Sequence, residues 1–168
     1  MSIVSEKWSS FTLRIPIKVD VQKVYDRWTT REGLESWFLR KAEFTRPDGI
    51  VRHKESSVKK GDRFEWQWHG YGDEDVERRE VLEANGKDLF QFIFSGGCTV
   101  TISIYKEQNQ TIVELKQENI PLDEDPKRNL CLNCSGGWTF YMTNLKSILE
   151  GGLDLRNKDV SIKRVVNA

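Results

Sequence analysis

The sequence predicts an α+β fold in which a curved antiparallel sheet of about six to seven strands wraps around a long C-terminal helix. Two observations carry this reading. Tryptophan-bearing segments with helical spacing stand towards the two ends of the chain, at 21–38 and 136–151. Between them, short runs alternate apolar and polar residues and are broken by turn signals, the pattern of half-buried antiparallel strands. Helices confined to the ends of such a run supply the cover that one face of the sheet needs.

The elements follow in order. Trp8 to Lys18 opens the sheet, with Phe11, Leu13, Ile15 and Ile17 on one face and Thr12 and Arg14 on the other. Pro16 assigns this strand to an edge or a strand end. Asp20 is the expected N-cap of a helix whose Val21, Val24, Tyr25 and Trp28 share one face. Thr30 opens a second short helix with Leu34, Trp37 and Phe38 on its apolar side, weakened a little by Gly33. Ala42 to Thr45 reads as a strand. Pro47 to Gly61 reads as a polar loop with room for a short pairing near Ile50 and Val51.

Phe64, Trp66 and Trp68 then alternate with Arg63, Glu65, Gln67 and His69, and Val76 to Glu83 forms a weakly apolar, solvated strand. Asn85-Gly86 signals a hairpin, after which Phe90, Phe92 and Phe94 alternate. Gly96-Gly97 turns the chain into a strand with Val100, Ile102 and Ile104 on one face. Gln108-Asn109-Gln110 turns it again, and Thr111 to Glu118 is the last strand, with Val113, Leu115 and Gln117 on one side. Asp125-Pro126 fits an N-cap followed by proline at the first helical position. Leu130, Cys134, Trp138, Tyr141, Leu145, Ile148 and Leu149 keep a helical period, and Gly151-Gly152 ends it.

A chain of 168 residues is the size of one domain with a real core, expected to span 1–168 with its organised part at about 8–156 and a tail at 157–168. Basic and acidic residues balance at 26 each, which argues against nucleic acid as the main partner. No run approaches the roughly 18 apolar residues that span a bilayer, so no membrane insertion is expected. Residues 1–7 hold no stretch of signal-peptide character, and 3 cysteines are too few for a disulfide scaffold. The expectation is a cytoplasmic protein with reduced thiols.

Catalytic and metal chemistry find little footing. His53 lies in a loop and His69 at a strand end, and no serine or cysteine nucleophile pairs with either, so no catalytic residue is assigned. No glycine-rich phosphate loop follows a strand, and no cofactor is expected. Cys131-Leu-Asn-Cys134 has metal-ligand spacing, but only Cys98, His53 and His69 could complete a zinc site. Three readings of the pair remain: buried packing, a redox pair, or a metal site. Asp73-Glu74-Asp75 and Asp123-Glu124-Asp125 read as solvated turns.

Four stretches carry a family resemblance: 24–30 (VYDRWTT), 33–38 (GLESWF), 61–66 (GDRFEW) and 137–150 (GWTFYMTNLKSILE). In this order, over roughly Trp8 to Arg156, the chain resembles the START-like or polyketide cyclase superfamily and its helix-grip fold. Within it, the chain looks like the branch related to the C-terminal domain of the heat shock protein 90 ATPase activator. The resemblance implies a sheet gripping the last helix with a cavity between them. It also implies either a hydrophobic small molecule or lipid as ligand, or a chaperone partner.

The residues placed around such a cavity are Trp66, Trp68, Phe92 and Phe94 on the sheet and Trp138 and Tyr141 on the helix, with Trp28 and Trp37 near its entrance. Gln117 is the polar group that would orient a ligand, or else it lies at a strand end and meets water. The rings themselves admit two readings, a solid core or a ligand-sized cavity. Gly136-Gly137 also admits two: close approach of backbone to sheet or ligand, or a break before Trp138. Binding of a hydrophobic ligand is the first functional expectation, stimulation of a chaperone ATPase the second, and an acid–base enzyme the third.

Overall fold

The structure, a computed structural model, describes residues 7–123, 125 and 128–166. Seven strands form one antiparallel sheet: β1 (Phe11–Ile17), β2 (Lys41–Thr45), β3 (Arg63–Gln67), β4 (Glu77–Ala84), β5 (Leu89–Phe94), β6 (Cys98–Glu107) and β7 (Gln110–Glu118). Their order is β1-β7-β6-β5-β4-β3-β2. Helices α1 (Val21–Thr29) and α2 (Arg31–Trp37) follow β1, and α3 (Leu130–Leu149) follows β7. This is the α+β arrangement that the alternation and the two end segments predict.

Each edge of the sheet has a local cause. β1 pairs only with β7, so Pro16, opposite Ile112, sits where its missing N–H costs no ladder bond on the open side. At the other edge, β2 pairs with β3, and the expected short pairing in the following loop is the bridge between Thr45 and Val51. That loop is pinned by Asp62, fully buried, whose carboxylate accepts hydrogen bonds from the Arg52 guanidinium and the Lys59 N–H.

The sheet forks in its middle. β4 pairs with β3 through Glu77–Glu80 and with β5 through Val81–Ala84, and a bulge lies between Val81 and Glu83. The far ends of β3 and β5 are therefore not joined by a common strand. Ser95, in a single 3-10 turn after β5, donates from its hydroxyl to Glu77 Oε2 across this fork at 3.1 Å.

The helices are set by caps and by one close approach. Asp20 occupies the N-cap of α1, without a side-chain cap bond. Thr30 caps α2 by accepting from the Gly33 N–H at 3.0 Å. Gly33 is required, not merely tolerated: a Cβ there would lie 2.5 Å from the Asp26 carbonyl oxygen and 2.8 Å from Arg27 Cα. The N-cap expected at Asp125 is corrected. Asn129 caps α3, its side chain accepting from the Leu132 N–H at 3.0 Å, and Pro126 lies outside the described residues. An asparagine directly before the apolar series outcompetes an Asp-Pro pair several residues upstream.

The core lies between the inner sheet face and the helices. Val81, Phe90, Phe92, Val100, Ile102, Ile104, Val113 and Leu115 face Val24, Trp28, Leu34, Trp37, Trp138 and Leu145. Past α3 the chain is held by Arg156, whose buried guanidinium donates to the carbonyls of Glu35, Ser36 and Leu39 at 3.0–3.2 Å. The first two are orphan acceptors in the last turn of α2, and Leu39 lies just past its C-cap.

Candidate functional site

A solvent-open groove of about 750 Å³ lies where the sheet forks, between the first half of α3 and the ends of β3, β4 and β5. Its apolar lining comes from Phe38, Trp68, Phe94, Leu130, Trp138 and Tyr141. Four of the nine sequence-predicted residues, Trp68, Phe94, Trp138 and Tyr141, are thus brought together at one surface.

The other five lie behind it. Trp66 and Phe92 are fully buried beneath the lining, with Trp66 at 5.1 Å from Phe92 and 6.2 Å from Phe94, centroid to centroid. Trp28 and Trp37 meet edge to face at 4.6 Å, and neither has exposed surface, so they form a foundation and not an entrance. The Trp37 indole N–H is satisfied by the Arg27 carbonyl at 3.0 Å, which ties α2 back onto α1.

Gln117 does not meet water. It is fully buried behind Trp138 and accepts from the indole Nε1 at 2.9 Å. Its own Nε2 makes no hydrogen bond and faces the sulfurs of Cys98 and Cys134, which are weak acceptors. Gln117 therefore orients a ring of the groove and not a ligand directly.

Phe38 is the hub that the sequence reading left outside the site. Its ring lies 4.9 Å from both Trp138 and Tyr141 and 5.6 Å from both Trp66 and Trp68. As the C-cap of α2 it still donates its N–H to the Leu34 carbonyl, and its ring lines the groove while Trp37, one residue earlier, is fully buried.

The glycine pair resolves both of its alternatives. α3 runs unbroken through Gly136 and Gly137, and a Cβ on either would meet no described residue within 4 Å. The helix is not interrupted, and no close approach to the sheet requires glycine. Both residues line the groove, on the helix face that also presents Asn133, Cys134 and Tyr141. The missing side chains leave bare backbone as one wall, at a helical cost of about 1 kcal/mol each relative to alanine.

Burial pushes the Tyr141 phenol far above its ordinary value, so it stays protonated. Burial likewise pushes up the thiols of Cys98, Cys131 and Cys134, all free, so they are neutral and poorly nucleophilic. Among the described residues, no group of three or more His, Cys, Asp or Glu is placed to hold a metal ion. No helix among them is long and apolar enough to cross a membrane.

Comparison with known proteins places this architecture. Residues 18–150 match the family described as Activator of Hsp90 ATPase homolog 1-like protein, and the chain belongs to that family. No curated protein matches it. Among solved structures, it is similar to the protein SSP2350 from Staphylococcus saprophyticus, with a TM-score of 0.66 and 16% identity over 88% of this chain and 96% of that one. It is also similar to the Aha1 dimer from Colwellia psychrerythraea, at 0.65 and 19% over 85% of this chain and 97% of that one. A third is DynU16, from the dynemicin biosynthetic locus, at 0.64 and 17% over 89% of this chain and 50% of that one. At these identities the likeness is one of fold, the START-like helix grip.

Proposed function

We propose that this protein binds a hydrophobic small molecule or lipid in the groove between α3 and the forked end of the sheet. The observation that carries this is the glycine pair: two helix-weakening residues stand side by side in an unbroken helix, with nothing among the described residues opposite them but the groove. Packing does not account for them, whereas room for a ligand does. The ring wall around Phe38 is held firmly from behind, so the surface is pre-formed and a ligand does not have to order it.

Affinity would come from burial of apolar area, at about 0.8 kcal/mol per methylene. A titration with 1-alkanols of increasing length, followed by the indole resonances, tests this. Shifts at Trp68 and Trp138, with affinity rising about fourfold per added methylene, support it. Indole resonances unmoved across the series overturn it.

A second reading is a chaperone partner, favoured by the family and by the fold shared with the Colwellia Aha1. It would act through an outer surface. ATPase stimulation of a heat shock protein 90-type chaperone by this chain would support that reading, and no stimulation together with no complex on gel filtration would remove it.

A further inference from the structure

We propose that the groove selects a cationic amphiphile, a molecule carrying an ammonium group on an apolar body. The inference rests on the groove being the ligand site and adds the sign of the ligand's charge. Among the described residues, the only charged ones lining the groove are Asp75 and Glu77, both acidic, and no described lysine, arginine or histidine joins them.

Glu77 is fixed in place. It stands opposite Trp66 in the β3–β4 ladder, so it shares the inner face of the sheet with the rings. Its side chain is 17% exposed, and Ser95 donates to Oε2 at 3.1 Å. Arg79 pairs with its Oε1 at 2.8 Å from outside the groove lining. Asp75 accepts only the Gly72 N–H, at 3.3 Å, and makes no ion pair among the described residues. Two neighbouring cations are already matched: Arg40, which bonds the Trp68 carbonyl, pairs with Asp73 at 2.8 Å, and Arg156, which acts on Tyr141, pairs with Asp154 at 2.7 Å. One carboxylate at the groove is therefore left without a counter-charge.

The rest of the lining suits the same ligand. Phe38, Trp68, Tyr71, Phe94, Trp138 and Tyr141 surround the space, and the faces of such rings attract ammonium groups. A carboxylate or phosphate head would meet the uncompensated Asp75 carboxylate and ring faces of negative potential. A cation meets favourable partners on both counts. The whole chain carries a formal net charge of +0, so its overall charge does not supply this preference.

The test compares three probes of equal chain length at neutral pH and low salt: octyltrimethylammonium, 1-octanol and octanoate. The cation is expected to bind about tenfold or more tighter than octanoate, with the alcohol between them. In the Asp75→Asn/Glu77→Gln variant the ratio of cation to octanoate affinity, each read relative to 1-octanol in the same variant, falls to about twofold or less. Octanoate binding as tightly as the cation, with the alcohol still bound, overturns the charge preference and leaves the groove as a ligand site. A preference that survives in the double variant also overturns it. Failure of all three probes to bind overturns the groove reading, and the charge preference with it.

Discussion

Trp138 of the last helix and Gln117 of the last strand meet in the buried interior, the indole Nε1 donating to the amide Oε1 at 2.9 Å. This contact sets the rotation of α3, and with it the direction in which the Gly136–Gly137 wall faces. Gln117 has a cost of its own, because its Nε2 is buried without a partner. Gln117→Leu exchanges that orphan donor for the indole N–H and is expected to cost only about 1 kcal/mol. Gln117→Ala adds a cavity and should cost about 3 kcal/mol, lowering Tm by about 6–12 °C. Thermal melts of the two variants check the difference.

Two kinds of glycine are expected to respond in opposite directions. At Gly33 a Cβ strikes backbone of α1, which cannot give way without separating the helices. Gly33→Ala should therefore destabilise by about 2 kcal/mol. At Gly136 a Cβ enters open space, and Gly136→Ala should stabilise by up to about 1 kcal/mol through helix propensity. Denaturant unfolding of both variants measures the two signs.

Arg156 fastens the segment after α3 onto the end of α2, and Asn144 assists by donating to the Trp37 carbonyl at 2.8 Å and accepting from the Leu155 N–H at 2.7 Å. Arg156→Ala is expected to cost about 2 kcal/mol. It should also speed hydrogen exchange at Leu155 more than at amides in the β6–β7 ladder.

The same clamp should loosen in acid. At Asp154, burial opposes ionisation, but hydrogen bonds from Arg156 and Lys158 outweigh it and hold the carboxyl well below the usual aspartate range. Its contribution is complete above the unfolded value of about 3.9 and is lost as pH falls further, towards the depressed folded value. Burial, together with Arg156, Lys158 and Arg40, lowers the His69 value, so stability also declines as pH falls below about 6.5. Tm should fall in both windows. Asp154→Asn should flatten the lower one and His69→Gln the upper one, as melts across pH will show.

The alternation of Phe64 with Trp66, of Phe90 with Phe92 and Phe94, and of Val113 with Leu115 and Gln117 made the sheet and its inner face legible, because period two leaves a strand no other way to bury its rings. The groove was only partly legible. Trp68, Phe94, Trp138 and Tyr141 line it, but the helical period that put Phe38 on the apolar side of α2 does not say that its ring reaches the groove while that of Trp37 is fully buried. Asn144 and Arg156 are polar residues buried by partners distant in sequence, so nothing local marks them. Trp28 and Trp37 lie beneath the site because α1 packs on α2 through Gly33, a contact that only the folded backbone reveals.

The most direct test of the ligand groove is the affinity of Gly137→Leu for 1-octanol beside that of the unaltered protein. The new side chain would enter space that is empty within 4 Å of its Cβ, on the helix face that lines the groove. A raised Tm together with loss of octanol binding is the predicted result. Undiminished binding by a folded Gly137→Leu variant would contradict the account.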